Sequence, residues 1–131
     1  MEPILTGVYT KNFLSGEVIY SYNDKPEKMY LIHSGKVLIK SKLGLELGTL
    51  VEGEIFGEVG PIIDTRRTVS AIANSDCTLR VIDMKTLNAR LEKVDPVLKV
   101  IIDGLAIRIG EANKLAEKYW QELSVYKSLE K

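Results

Sequence analysis

At Asp83 the sequence changes period, and that change constrains what the chain can fold into. Before it, short runs alternate as strands do and are broken every few residues by turn formers. After it, apolar residues recur at steps of three and four. The first part reads as strands at 8–13, 17–22, 29–33, 36–42, 45–51, 68–73 and 78–83. Ser15-Gly16, Asn23-Asp24-Lys25-Pro26, Ser34-Gly35, Gly44, Glu52-Gly53-Glu54 and Asn74-Ser75-Asp76 supply the turns, with Asn23 tolerant of a left-handed backbone. Short strands at such regular spacing predict a small β-barrel or roll.

The second part predicts a helix over 84–94, capped by Asp83, and another from 96, where Asp95 caps and Pro96 takes the first helical position. In the second helix Leu98, Ile102, Leu105, Ile109, Ala112, Ala116, Tyr119, Leu123 and Tyr126 form a heptad seam. A helix from 96 to about 128 is roughly 50 Å long, whereas a domain of this size has a radius of gyration of about 13 Å. Its far end outruns its own roll, so the expectation is a homodimer paired through this helix. The alternative is that it bends back and packs in cis. Gly104 and Gly110, each costing about 1 kcal/mol against Ala inside a helix, mark a close approach or a bend.

Composition removes several function classes. Hydrophobic residues make up 45% of the 131 positions, enough for a core and against disorder. Eighteen Lys and Arg balance eighteen Asp and Glu, so non-specific nucleic-acid binding is not expected. The single cysteine, Cys77, excludes an internal disulfide and suits a reducing compartment. The chain begins Met1-Glu2-Pro3 with no apolar core behind it, and its most apolar stretch, 97–109, is broken by Lys99, Asp103 and Arg108. No signal peptide or membrane span is expected, and the location expected is cytoplasmic. One histidine, His33, cannot build the histidine-rich metal site of a cupin-type enzyme. No Ser–His–Asp or Cys–His arrangement stands out. A binding module, with no metal and no catalysis, is the expectation.

The chemistry concentrates in 56–71, FGEVGPIIDTRRTVSA. Gly57 and Gly60 let backbone approach a ligand and point bare N–H groups at it. Pro61-Ile62-Ile63 fits one helical turn, whose start favours an anion. Arg66-Arg67 follow with guanidinium groups. Amides, a helix start and a guanidinium are the parts of a phosphate site. Glu58 would repel a bare phosphate but can accept from a hydroxyl, as on a phosphate fused to a sugar. Taken singly, these are turn glycines and a solvated ion pair.

Taken in order, Phe56, Gly57, Glu58, Gly60, Arg67 and Thr68 resemble the phosphate-binding cassette of cyclic nucleotide-binding domains. That family includes catabolite activator-type regulators, the regulatory subunits of cyclic AMP-dependent kinase and cyclic nucleotide-gated channels. The resemblance extends upstream to 13–19 and 29–37 and covers most of the chain. It implies a fold that is mainly β with C-terminal helices: a jelly-roll-like β-roll of about eight strands flanked by helices, ending in a long helix. Residues 1–94 would form the nucleotide-binding roll with the cassette helix and the helix after it, and 95–131 the long lid or dimerisation helix.

The resemblance also implies the roles. The ligand is cyclic AMP or cyclic GMP, and the site is Phe56, Gly57, Glu58, Val59, Gly60, Arg67, Thr68 and Asn113. Arg67 clamps the exocyclic phosphate oxygens, Glu58 accepts from the ribose 2′-hydroxyl, and Gly57 and Gly60 donate backbone N–H groups. Thr68 lies near the phosphate, where its hydroxyl can also reach a guanine amino group, which leaves the nucleotide open. Ala112 and Asn113 fall where the family's long helix meets the base. Arg66 is expected to face solvent. Binding would shift the long helix. Two alternatives stand beside this reading: a degenerate domain serving only as a dimerisation module, and the sensor fragment of a DNA-binding regulator.

Overall fold

A computed structural model of the chain describes residues 8–57 and 66–129. Eight strands come first: β1 (Val8–Phe13), β2 (Val18–Tyr20), β3 (Lys28–Ser34), β4 (Val37–Lys40), β5 (Glu46–Leu50), β6 (Ile55–Phe56), β7 (Ser70–Ala73) and β8 (Cys77–Asp83). Two helices follow, α1 (Met84–Leu91) and α2 (Pro96–Leu129). The strands form two four-stranded antiparallel sheets, ordered β1-β8-β3-β6 and β2-β7-β4-β5. In β8 alternate residues Cys77, Leu79 and Val81 point inward, as a period of two requires. They meet Ile32 of β3 and Val37 of β4 in a core from which water is excluded. The expected fold, a mainly β roll ending in helices, is the one found.

The local differences have physical causes. β6 was not expected as a strand, because two residues are too few to show alternation. Its pairing partner makes it one: Tyr30 lies opposite Phe56, and Leu31 opposite Ile55. The strand expected from 68 begins at Ser70, which leaves Thr68 and Val69 in a bend beside Arg67. The helix expected over 84–94 stops at Leu91. Its last turn closes with Val94 N–H on the Leu91 carbonyl, just before Asp95-Pro96, and a residue preceding proline is pushed away from helical backbone. Both caps form as expected. The Asp83 carboxylate accepts from Thr86 N–H at 2.8 Å, and that bond holds its carboxyl below the usual carboxylate range. The Asp95 carboxylate accepts from Val97 N–H at 2.8 Å. Asn23 does take a left-handed backbone, with φ of 72°.

α2 runs for 34 residues, and of its residues only Ala106 and Gly110 are buried. Asn113 and Glu117 are half-buried on the same stripe, one and two turns further on. The Glu117 carboxylate accepts from Leu43 N–H at 2.9 Å, in the turn between β4 and β5. The middle of α2 therefore packs in cis on its own roll. Past Glu117 the helix is exposed to Leu129 apart from a half-buried Trp120. The two helix glycines differ: Gly110 is buried, whereas a Cβ on Gly104 would meet nothing within 4 Å.

Gly104→Ala is therefore expected to stabilise the chain by about 0.5–1 kcal/mol, the helix-propensity gain with no steric penalty. Urea denaturation followed by far-ultraviolet circular dichroism would show a higher midpoint with an unchanged slope; a lower midpoint would mean that position 104 carries a contact the structure does not have.

Candidate functional site

Arg67 reaches the site from the bend before β7, and its backbone is fixed from both sides. Its N–H donates to the Asp24 carbonyl at 2.9 Å, and its carbonyl accepts from Asn23 N–H at 2.8 Å. The residue is only 5% exposed. The guanidinium lies 4.0 Å from the centroid of the Tyr20 ring. Nη1 donates to the Gly57 carbonyl at 2.6 Å, and Nη2 donates to the Lys28 carbonyl. Nε is buried and has no partner among the described residues. No carboxylate among the described residues forms an ion pair with Arg67. A buried cation is costly unless a counter-charge offsets it, and none of the described residues supplies one.

An aromatic stack supports it. Tyr20, Tyr30 and Phe56 lie with ring centroids 5.0–6.2 Å apart. Burial pushes the Tyr30 phenol up, against the pull of the nearby Arg67 and Lys28 cations, so the ring stays neutral. Phe56 is 3% exposed and belongs to the core. Gly57 closes the approach: its φ is +76°, and a Cβ there would lie 2.9 Å from Arg67 Nη1. Glycine at 57 thus serves both the left-handed backbone and the guanidinium beside it.

Arg67, Gly57 and Thr68 line a cavity of about 250 Å³. The remainder is largely apolar, with Ile39, Leu47, Leu50 and Ile55 from β4, β5 and β6. Ile109 and Asn113 of α2 complete the wall from above. A cavity lined by a guanidinium, apolar strand residues and a helix amide suits an amphipathic anion.

Of the residues expected at the site, Phe56, Gly57, Arg67, Thr68 and Asn113 come together around this cavity. Glu58, Val59 and Gly60, with the helical turn at 61–63, lie outside the described residues. Arg66 is exposed, and its Nη1 donates to the Asn23 carbonyl at 3.0 Å. Among the described residues no three His, Cys, Asp or Glu side chains gather as a metal site, and no helix is long and apolar enough to cross a membrane. Sequence reasoning did not find the apolar wall, Tyr20 beneath the guanidinium, or Ile109. Ile109 was visible only as a seam residue; its place at the cavity follows from how α2 docks.

Comparison with known proteins agrees with this geometry. The model of the cyclic nucleotide-binding domain matches residues 10–93. The chain belongs to the cyclic nucleotide-binding domain family. Potassium/sodium hyperpolarization-activated cyclic nucleotide-gated channel 2 of Mus musculus is 31% identical over 126 residues, covering 92% of this chain and 14% of the channel. Channel 3 of the same group from Homo sapiens is 27% identical over 125 residues, covering 92% of this chain and 16% of the channel. Among solved structures, the EAL enzyme Bd1971 in its cAMP-bound and cGMP-bound forms superposes with a TM-score of 0.73 at 26% identity, covering 92% of this chain and 34% of that one. This cyclic nucleotide-binding domain therefore spans about a sixth of the channels and a third of the enzyme that it matches.

Proposed function

We propose that the chain is a sensor that binds cyclic AMP or cyclic GMP in the cavity beneath α2 and does not itself catalyse a reaction. The observation that carries this is Arg67: a buried guanidinium, unpaired with any carboxylate among the described residues, in the wall of a largely apolar cavity. The cyclic phosphate supplies the missing anion. The purine lies along Ile39, Leu47 and Leu50 under Ile109, and Asn113 offers an amide to its edge. Gly57 donates its backbone N–H near the ribose and Gly60 to the phosphate, Thr68 lies near the phosphate, and Glu58 accepts from the ribose hydroxyl. That Bd1971 has been solved with both nucleotides supports either ligand here.

Ligand contact with Ile109 and Asn113 gives the output. A nucleotide that binds the α2-docked form more tightly than the undocked form shifts the chain towards docking, by no more than that difference in affinity. α2 then presents its other face. Leu98, Leu105, Tyr119, Leu123 and Tyr126 are each more than half exposed, about a third of a turn from the docked stripe. Docking in cis therefore leaves these five seam residues uncovered, although Ile109 of the same seam lines the cavity, which supports a dimer whose geometry reports occupancy.

Titration calorimetry with cyclic AMP and cyclic GMP tests the binding. Arg67→Ala is expected to lose about 2–4 kcal/mol, the worth of one to two charge-assisted hydrogen bonds. Arg67→Lys, which keeps the charge and loses the fork, should retain part of it. A folded chain that binds neither nucleotide, or binds equally well without Arg67, contradicts the proposal. For the dimer, sedimentation at micromolar concentration should give a concentration-dependent dimer that Leu123→Glu converts to monomer. A parent chain that stays monomeric removes the seam from the mechanism.

A further inference from the structure

The lid rests on little. Ala106 and Gly110 are the only buried residues described for α2, and both carry minimal side chains. Helix stability of this kind comes from packing, so α2 is held over the cavity by few apolar contacts. Against that background Glu117 is unusual. It lies one turn beyond Asn113, on the stripe that faces the roll, and its Oε1 accepts from Leu43 N–H at 2.9 Å. Its Oε2 is buried and has no hydrogen-bond partner among the described residues. A carboxylate on an exposed helix would ordinarily turn both oxygens to water. Here one is tied to the hairpin and the other is drawn out of solvent with it.

The amide it engages also has no other use. Leu43 sits in the β4–β5 turn, where Gly44 N–H donates to the Ser41 carbonyl and Leu45 N–H to the Ser41 hydroxyl. The turn is closed by its neighbours, and Leu43 N–H points outward to the lid. β4 and β5, which this turn joins, also carry Ile39, Leu47 and Leu50 of the cavity wall. The bond thus joins the element that forms the wall to the element that covers it.

We propose that Glu117 is a positioning residue for the ligand: it latches α2 to the β4–β5 turn and so holds Ile109 and Asn113 over the cavity. It touches no ligand itself. Its effect is on how long the lid stays closed, and hence on release more than on capture. The effect on release rests on the cyclic nucleotide reading, but the latch belongs to the ligand-free chain and can be tested there.

The test uses the full chain as Glu117→Ala, Glu117→Gln and, as control, Glu122→Ala on the exposed part of α2. Without ligand, amide exchange read by NMR should show the Leu43 amide and 106–117 losing at least tenfold protection in Glu117→Ala. Glu117→Gln, which keeps a carbonyl acceptor, should stay within about threefold of the parent, and the control should be unchanged. With cyclic AMP or cyclic GMP in stopped flow, Glu117→Ala should speed dissociation about three- to tenfold with association nearly unchanged. Unaltered Leu43 protection in Glu117→Ala overturns the latch whatever the ligand does. Lost protection with an unchanged dissociation rate overturns the positioning role alone. Failure of every variant and the parent to bind either nucleotide counts against the binding site, and the exchange data still decide the latch.

Discussion

Arg67 is the point on which the rest of the site turns. Its guanidinium is out of water, stacked on Tyr20, and divided between the Gly57 and Lys28 carbonyls. Neutral carbonyls satisfy hydrogen-bonding geometry but cancel no charge. Around that guanidinium the described residues are arranged in turn: Gly57 must lack a side chain, Tyr20 must be flat against it, and Phe56 and Tyr30 must back the stack. The loop at 23–24 fixes its backbone from both sides. A phosphate in reach would replace a costly burial with a strong, directional interaction.

The second constraint is that one helix serves two environments. Its stripe of Ala106, Gly110, Asn113 and Glu117 belongs to the roll, while its exposed seam of Leu98, Leu105, Tyr119 and Leu123 does not. Small residues let the helix approach closely; the polar ones, Asn113 and Glu117, supply direction. In the proposed mechanism a lid held this lightly opens at a cost small enough for a ligand to influence, which a helix sunk into the core would not.

Much of this was legible in the sequence, and the reasons are specific. β8 shows its alternation plainly because one face is core and the other is not. Asp83 and Asp95-Pro96 announce both helices because capping chemistry is local. Arg67 was identifiable through the resemblance of 56–68 to the family's cassette, whose spacing selects it over Arg66, and it lies at the cavity beside Thr68. The cavity wall was not legible, since Ile39, Leu47 and Leu50 look like any strand residues until the sheets close over them. β6 owes its existence to Tyr30 and Leu31 opposite it, not to its own two residues. Nothing in the sequence sets Glu117 apart from other helix carboxylates; only the position of the β4–β5 turn gives it a partner. Long-range placement, not local propensity, is what these three share.

The most direct measurement is the Arg67 Nε–H resonance in an isotope-labelled chain, followed by NMR as cyclic AMP or cyclic GMP is added. A phosphate received by this guanidinium should shift that signal and slow its exchange with solvent, in step with occupancy of the cavity. A signal that stays where it was while either nucleotide saturates the chain would mean that the anion binds elsewhere and that Arg67 is only a structural cation.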